Sequence, residues 1–162
     1  MLVTHEFPAF YDKNSKILIL GSIPSVKSRE YGFYYMHPQN RFWRLLSDVF
    51  NEEIPSTING KKEFLKDHHI ALWDVLSSCD ITGSSDSTIK NPIPNDINSL
   101  IKKTNIKAVF VTGKKAETLY NKYCLKHTNI KPIYLPSSSP ANQTIKYSNL
   151  LEEYQNILKH LK

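Results

Sequence analysis

The 162-residue sequence lacks most of what marks secreted, metal-bound or membrane proteins. Its two cysteines, Cys79 and Cys124, stand far apart with no neighbouring Cys or His in zinc-binding spacing, so reduced thiols are expected. Adjacent His68 and His69 point in different directions on a helix and read as surface polar residues rather than metal ligands. No apolar run approaches the ~18 residues of a membrane span. The opening MLVTHEFPAF has neither the basic segment nor the long apolar core of a secretory leader. Internal repeats and linker-like stretches are also missing. These absences favour a single domain over residues 1–162, intracellular, with no metal or membrane partner.

What is present fits a soluble α/β chain. Hydrophobic residues make up 40% and charged residues 22%, enough for one core, and the formal charge of +6 favours a polyanionic partner. Short apolar runs alternate with helical periodicity. Buried strands are expected at Lys16–Leu20, Ile70–Val75, Ala108–Thr112 and Pro132–Leu135. Helices are expected at Pro38–Phe50, Lys61–Asp67, Asn95 or Asp96 to Lys103, Lys114–Lys126 and Ile145–Leu161, with Asn51–Gly60 a loop. Ser77–Pro94, rich in Ser, Asp, Asn and Pro, reads as a long loop with a functional purpose. The alternation predicts a three-layer fold with a central, mainly parallel four-stranded sheet, right-handed crossovers and helices on both faces.

In such a sheet, ligands sit outside the carboxyl ends of the strands. Gly21–Trp43 (GSIPSVKSREYGFYYMHPQNRFW) follows the first strand, and Pro136–Asn142 (PSSSPAN) follows the fourth. Asp74 closes the second strand between them. Each loop alone is ordinary turn chemistry. Together with the aromatics Phe33, Tyr34 and Tyr35 and the amide of Asn40, they suit the capture of a planar heterocycle such as a base.

In order and spacing, GSIPS, GFYYMHPQNRFW, IALWDVL and LPSSSPAN resemble the uracil-DNA glycosylase superfamily, most of all its hypoxanthine-DNA glycosylase branch. The run around HPQNRFW is also similar to the mismatch-specific uracil/thymine glycosylases. The resemblance spans about Leu18–Asn142 and implies excision of a deaminated base from DNA by a monomeric enzyme with no cofactor. Superfamily branches that carry an iron-sulfur cluster need four cysteines, and this sequence has two.

Residue by residue, the resemblance implies that Asn40 is catalytic. Its carbonyl would hold the attacking water from the first turn of a helix opened by Pro38. Tyr35 would stack on the flipped base, while Phe33, Phe42 and Trp43 pack the core. Asp74 would accept from the ring N–H beside the base's carbonyl, next to Ser22 and Ile23. Ser137, Ser138, Ser139, Ala141, Asn142 and Lys114 would meet DNA. Three positions depart from the uracil enzymes. Ile23 replaces a water-positioning Asn, Ser137 replaces a His that stabilises the leaving base, and Ala141 replaces a wedge Leu. Ser84–Asn91 matches a segment of the hypoxanthine branch. A non-catalytic module binding damaged DNA or a nucleotide is the alternative of a different class, and a uracil or mismatch glycosylase is the nearer one.

Overall fold

The computed structural model describes residues 2–4, 7–80, 89–142 and 144–161. In chain order its elements are β1 (Leu2–Thr4), β2 (Ile17–Gly21), α1 (Val26–Tyr31), α2 (Phe42–Phe50), α3 (Ile58–Asp67), β3 (Ile70–Asp74) and β4 (Leu76–Asp80). There follow β5 (Lys90–Pro94), α4 (Ile97–Lys102), β6 (Ala108–Thr112), α5 (Lys114–Tyr123), α6 (Leu125–Thr128), β7 (Ile133–Leu135) and α7 (Tyr147–Tyr154), which continues as a 3-10 helix, Gln155–His160. No helix among the described residues is long and apolar enough to cross a membrane.

Strands β3, β2, β6 and β7 form, in that order, a four-stranded parallel sheet. Successive side chains of a strand face opposite ways, and here both faces are covered, which is why the strands read as unbroken apolar runs. Ile17, Ile19, Ile70, Leu72 and Phe110 pack beneath α2, α3 and α7, against Phe42, Leu45, Leu46, Phe64, Leu65, Leu150 and Tyr154. Leu18, Leu20, Ala71, Val109 and Val111 face α4 and α5, through Ile97, Leu100, Ala116, Leu119 and Tyr120. The expected three-layer α/β architecture is therefore observed.

Several expectations need correction, among them the start of the helix expected at Lys61, which begins at Ile58 inside the expected loop. Helix α2 starts at Phe42, not Pro38, because the backbone N–H of Arg41 donates to Ser138 O (3.1 Å) and that of Asn40 to His37 O (2.9 Å), so 37–40 is a turn. Ser77–Pro94 is not all loop: β4 and β5 pair antiparallel, with β1 on the far side of β4. Pro92 and Pro94 hid β5, but proline is tolerated on an edge strand, and β5 is one. Within the Ser84–Asn91 segment, 84–88 lie outside the described residues, while Lys90 and Asn91 open β5.

The helix expected at 114–126 breaks at Cys124 into α5 and α6, and that expected at 145–161 starts at Tyr147 and tightens into the 3-10 segment after Tyr154. His68 and His69 are half-buried rather than surface polar groups. The His68 ring lies 4.1 Å from Phe50 and 4.6 Å from Phe64, with Nε2 3.0 Å from Glu52, and His69 turns the chain into β3 at φ 62°. Neither cysteine is in a disulfide, and burial followed by the charge of Asp96 pushes the Cys124 thiol up to about 11.

Candidate active site

The chain leaves β2 for β3 on one side of the sheet and β6 for β7 on the other, so the crevice at the carboxyl ends of β2 and β6 is a topological switch point. Gly21 ends β2, Asp74 ends β3, and Thr112 with Gly113 ends β6. Gly113, at φ 92°, starts α5 and lets the loop after β7 close in, since a Cβ there would lie 3.3 Å from Ser137 Cβ.

Tyr35 is folded back into this crevice. Its backbone is left-handed (φ 56°), and the N–H of Met36 donates to Ser28 Oγ (3.0 Å), so buried Ser28 pins the turn from α1. The Tyr35 ring stacks on Phe42 with centroids 3.8 Å apart, which covers one face. Its hydroxyl lies 3.5 Å from Thr112 Oγ1, whose own proton goes to Leu20 O at 3.2 Å. Burial first, then the charge of Asp74, raises the pKa of Tyr35 well above the ordinary phenol value, so it stays a neutral donor across the physiological range. Tyr34, lifted by the same causes, is buried, as are Phe33 and Phe42; half-buried Trp43 donates Nε1–H to Tyr34 O at 3.1 Å.

Asp74 is 4% exposed. A Cβ on Gly21 would lie 2.5 Å from Asp74 Oδ1 and 3.6 Å from the Tyr35 hydroxyl, so glycine is what lets both side chains share this corner. Asn95 Nδ2 donates to Asp74 O at 2.9 Å and ties the end of β5 to the end of β3. Gly21→Ala is expected to displace the carboxylate at a cost of about 1–3 kcal/mol, read as a lower melting temperature. An unshifted melting temperature would show that Asp74 is not held where the geometry puts it.

Asn40 meets the opposite wall. Its Oδ1 accepts from the backbone N–H of Phe42 (2.9 Å) and from the hydroxyl of Ser138 (2.8 Å). The backbone N–H can only donate, so it settles which end of the amide is oxygen. Both acceptor positions of Oδ1 are therefore engaged within the protein, where the sequence led us to expect a water. The free end is Nδ2, which bonds to no described residue and is not sealed from solvent. Arg41 locks the same junction: Nη2 donates to Asn142 O (2.7 Å) and Nη1 to Ile145 O (3.0 Å). Sequence reasoning missed Arg41, although its place beside Asn40 in the most specific motif was a usable signal.

The other expected site residues divide. Ser138 is 1% exposed with its hydroxyl bound to Asn40, so it does not face DNA. Ser137 Oγ and Ser139 Oγ accept from the backbone N–H groups of Ser139 (3.1 Å) and Ala141 (3.2 Å), shaping a tight loop. Asn142 Nδ2 donates to Ser137 O at 2.9 Å, and Ala141 is exposed. Lys114 Nζ is exposed, 4.3 Å above the Tyr134 ring and 3.8 Å from Glu117. Ser22 is buried, with its carbonyl accepting from Leu76 N–H at 3.1 Å. Ile23 packs against the α4/α5 core rather than standing free over the crevice.

The sequence model of the uracil DNA glycosylase superfamily matches residues 8–162. The chain belongs to the uracil DNA glycosylase superfamily. Within it, the chain is 34% identical to a hypoxanthine DNA glycosylase of Methanosarcina acetivorans over 98% of its own length and 100% of the relative's. It is 40% identical to a hypoxanthine DNA glycosylase of Methanosarcina barkeri, over 68% of this chain and 71% of that one. A candidate uracil DNA glycosylase from M. acetivorans, solved by NMR in solution, superposes with a TM-score of 0.83 at 35% identity, covering 99% of each chain. The superfamily fold thus accounts for the four-stranded sheet, at whose switch point Tyr35 and Asp74 both lie against Gly21.

Proposed function

We propose that the protein excises hypoxanthine from DNA inside the cell, as a monomer, by hydrolysing the N-glycosidic bond of a flipped deoxyinosine and leaving an abasic site. The observation that carries this reading is the run of contacts Tyr35–Phe42–Asn40–Ser138 at the switch point, with Asp74 and the Tyr35 hydroxyl both set against Gly21. It occurs in a chain matching a hypoxanthine DNA glycosylase over 100% of that protein's length.

The flipped purine stacks on the face of Tyr35 turned away from Phe42. Asp74, acceptor-only when ionised, takes the ring N–H beside the purine's carbonyl, which adenine does not present. Asn40 touches the reacting nucleotide. The bond breaks toward an oxocarbenium-like sugar, water adds its hydroxyl to C1′, and its remaining proton ends on the released base. Ser137, Ser139, Asn142 and Lys114 lie along the DNA backbone, with Ala141 at the lip.

A non-catalytic binder remains the second reading. Ile23, half-buried against the α4/α5 core, has no polar group with which to position a water, and Ser137 offers a hydroxyl where the uracil enzymes place a histidine. Duplexes carrying hypoxanthine, uracil, xanthine or no lesion, incubated with the protein and treated with alkali, separate the two. Breakage at hypoxanthine is expected, and four intact duplexes with retained lesion binding would establish the binder.

Binding should weaken steeply with salt, because a chain of formal charge +6 that tracks phosphates releases counterions from DNA. Fluorescence anisotropy on lesion duplex from 50 to 200 mM salt, at roughly these concentrations, measures the slope. A flat dependence would count against phosphate contacts.

A further inference from the structure

The orientation of the Asn40 amide reaches further than its identity. A water activated for attack is best held by an acceptor, and Asn40 Oδ1 has no acceptor capacity left after Phe42 N–H and Ser138 Oγ–H. Ser138 is 1% exposed, and its hydroxyl lies between Asn40 Oδ1, to which it donates at 2.8 Å, and the buried Tyr154 hydroxyl, which is itself anchored to Pro136 O at 2.9 Å. The Ser138 backbone carbonyl accepts from Arg41 N–H, and Arg41's guanidinium ties down Asn142 and Ile145. The oxygen of Asn40 is thus clamped from the helix side and the loop side at once. What it presents outward is an N–H₂ group, a donor and nothing else.

Resting on the reading of the protein as a hypoxanthine glycosylase, we infer that Asn40 acts as a hydrogen-bond donor, through Nδ2, to the departing purine. Ser138 is the positioning residue that holds the amide in that sense. When the C1′–N9 bond breaks, its electron pair leaves with the base and spreads over the ring nitrogens and the carbonyl oxygen. A preorganised donor aimed at one of these acceptors is stronger once the base is an anion than while it is neutral. No proton leaves Asn40. Water supplies the hydroxyl at C1′, and its remaining proton neutralises the base after departure. The uracil enzymes place a histidine for this task at the position of Ser137. Here the donor comes from the facing wall, and the neighbouring serine steers it.

The test compares Asn40→Asp with Ser138→Ala in single-turnover cleavage of hypoxanthine duplex across pH. Melting temperature and lesion affinity are measured in parallel. Asn40→Asp keeps the acceptor bound by Phe42 and Ser138 but replaces the N–H₂ with a carboxylate oxygen. It is expected to be about 100-fold or more slower at neutral pH, by analogy with the loss of one preorganised donor. Its rate should rise as pH falls and the carboxyl regains a proton to donate. Ser138→Ala is expected to be roughly tenfold slower, as for one lost hydrogen bond, with lesion affinity nearly unchanged and no low-pH recovery. Ser138→Thr, which keeps a hydroxyl, should recover most of the rate if it folds as well as the parent.

An Asn40→Asp protein as fast as the parent at neutral pH would overturn the inference, since an acceptor would then suffice. So would Ser138→Ala at the parental rate. A parental protein that cleaves none of the duplexes defeats the substrate reading beneath it. A parental protein that cleaves while Asn40→Asp cleaves equally well defeats the donor inference alone.

Discussion

Asn40→Ala is expected to slow single-turnover excision of hypoxanthine by about 100-fold or more. The size follows from the ~3 kcal/mol lost when one preorganised donor to developing charge is removed. Lesion binding should persist, because the Tyr35 face and the phosphate contacts remain. The variant also loses the acceptor of Phe42 N–H, and buried Ser138 loses its bond to Asn40, leaving Tyr154 as the neighbour of its hydroxyl. Losing such an acceptor at a helix start costs about 0.5–2 kcal/mol, so the melting temperature should fall by several degrees while the chain stays folded. Rapid-quench cleavage together with thermal unfolding checks both parts. A folded Asn40→Ala protein that cleaves at the parental rate would remove Asn40 from the chemistry, whatever the lesion.

Tyr35→Ala should fail differently. It deletes a ring that lies on Phe42 at 3.8 Å and would offer its other face to the base, so lesion binding is expected to weaken by ~1–3 kcal/mol. The chemical step from the bound state should change less, since the Tyr35 ring makes no hydrogen bond to Asn40 or Ser138 and reaches them only through its stack on Phe42. Tyr35→Phe keeps the stack and loses only the long contact to Thr112 Oγ1 at 3.5 Å, and it should bind within a fewfold of the parent. Equilibrium binding to lesion and undamaged duplex separates these outcomes. If Tyr35→Ala bound hypoxanthine duplex as tightly as the parent, the base would have to stack elsewhere.

How much was legible depended on which signal each element left. Ile17–Gly21, Ile70–Asp74 and Ala108–Thr112 are runs of buried residues in a parallel sheet covered on both sides, so composition alone marks them. Asp96 caps α4 through Ser99 N–H at 3.1 Å, as its position before an apolar run suggests. Lys90–Pro94 left no such mark: two prolines and an exposed Ile93 look like loop, and only pairing with β4 makes a strand of them. Pro38 suggested a helix start by local preference, but Asn40 and Arg41 make their bonds across the chain, to Ser138. A contact between residues 98 positions apart has no local signature.

The site divides along the same line. Residue types in sequence determined that there would be an α/β sheet with loops at its carboxyl edge, an aromatic near the first of them, an amide at Asn40 and a carboxylate at Asp74. These follow from hydrophobic period, turn chemistry and motif order, all of which are local. Tertiary structure alone decided that Gly21 makes room for Asp74 Oδ1, that Tyr35 lies on Phe42, and that Ser138 is buried against Asn40 rather than turned to DNA. It also decided which end of the Asn40 amide is free. The same asparagine could serve as donor or acceptor in the unfolded chain, and the choice is made only when Phe42 N–H and Ser138 Oγ–H arrive together at its oxygen.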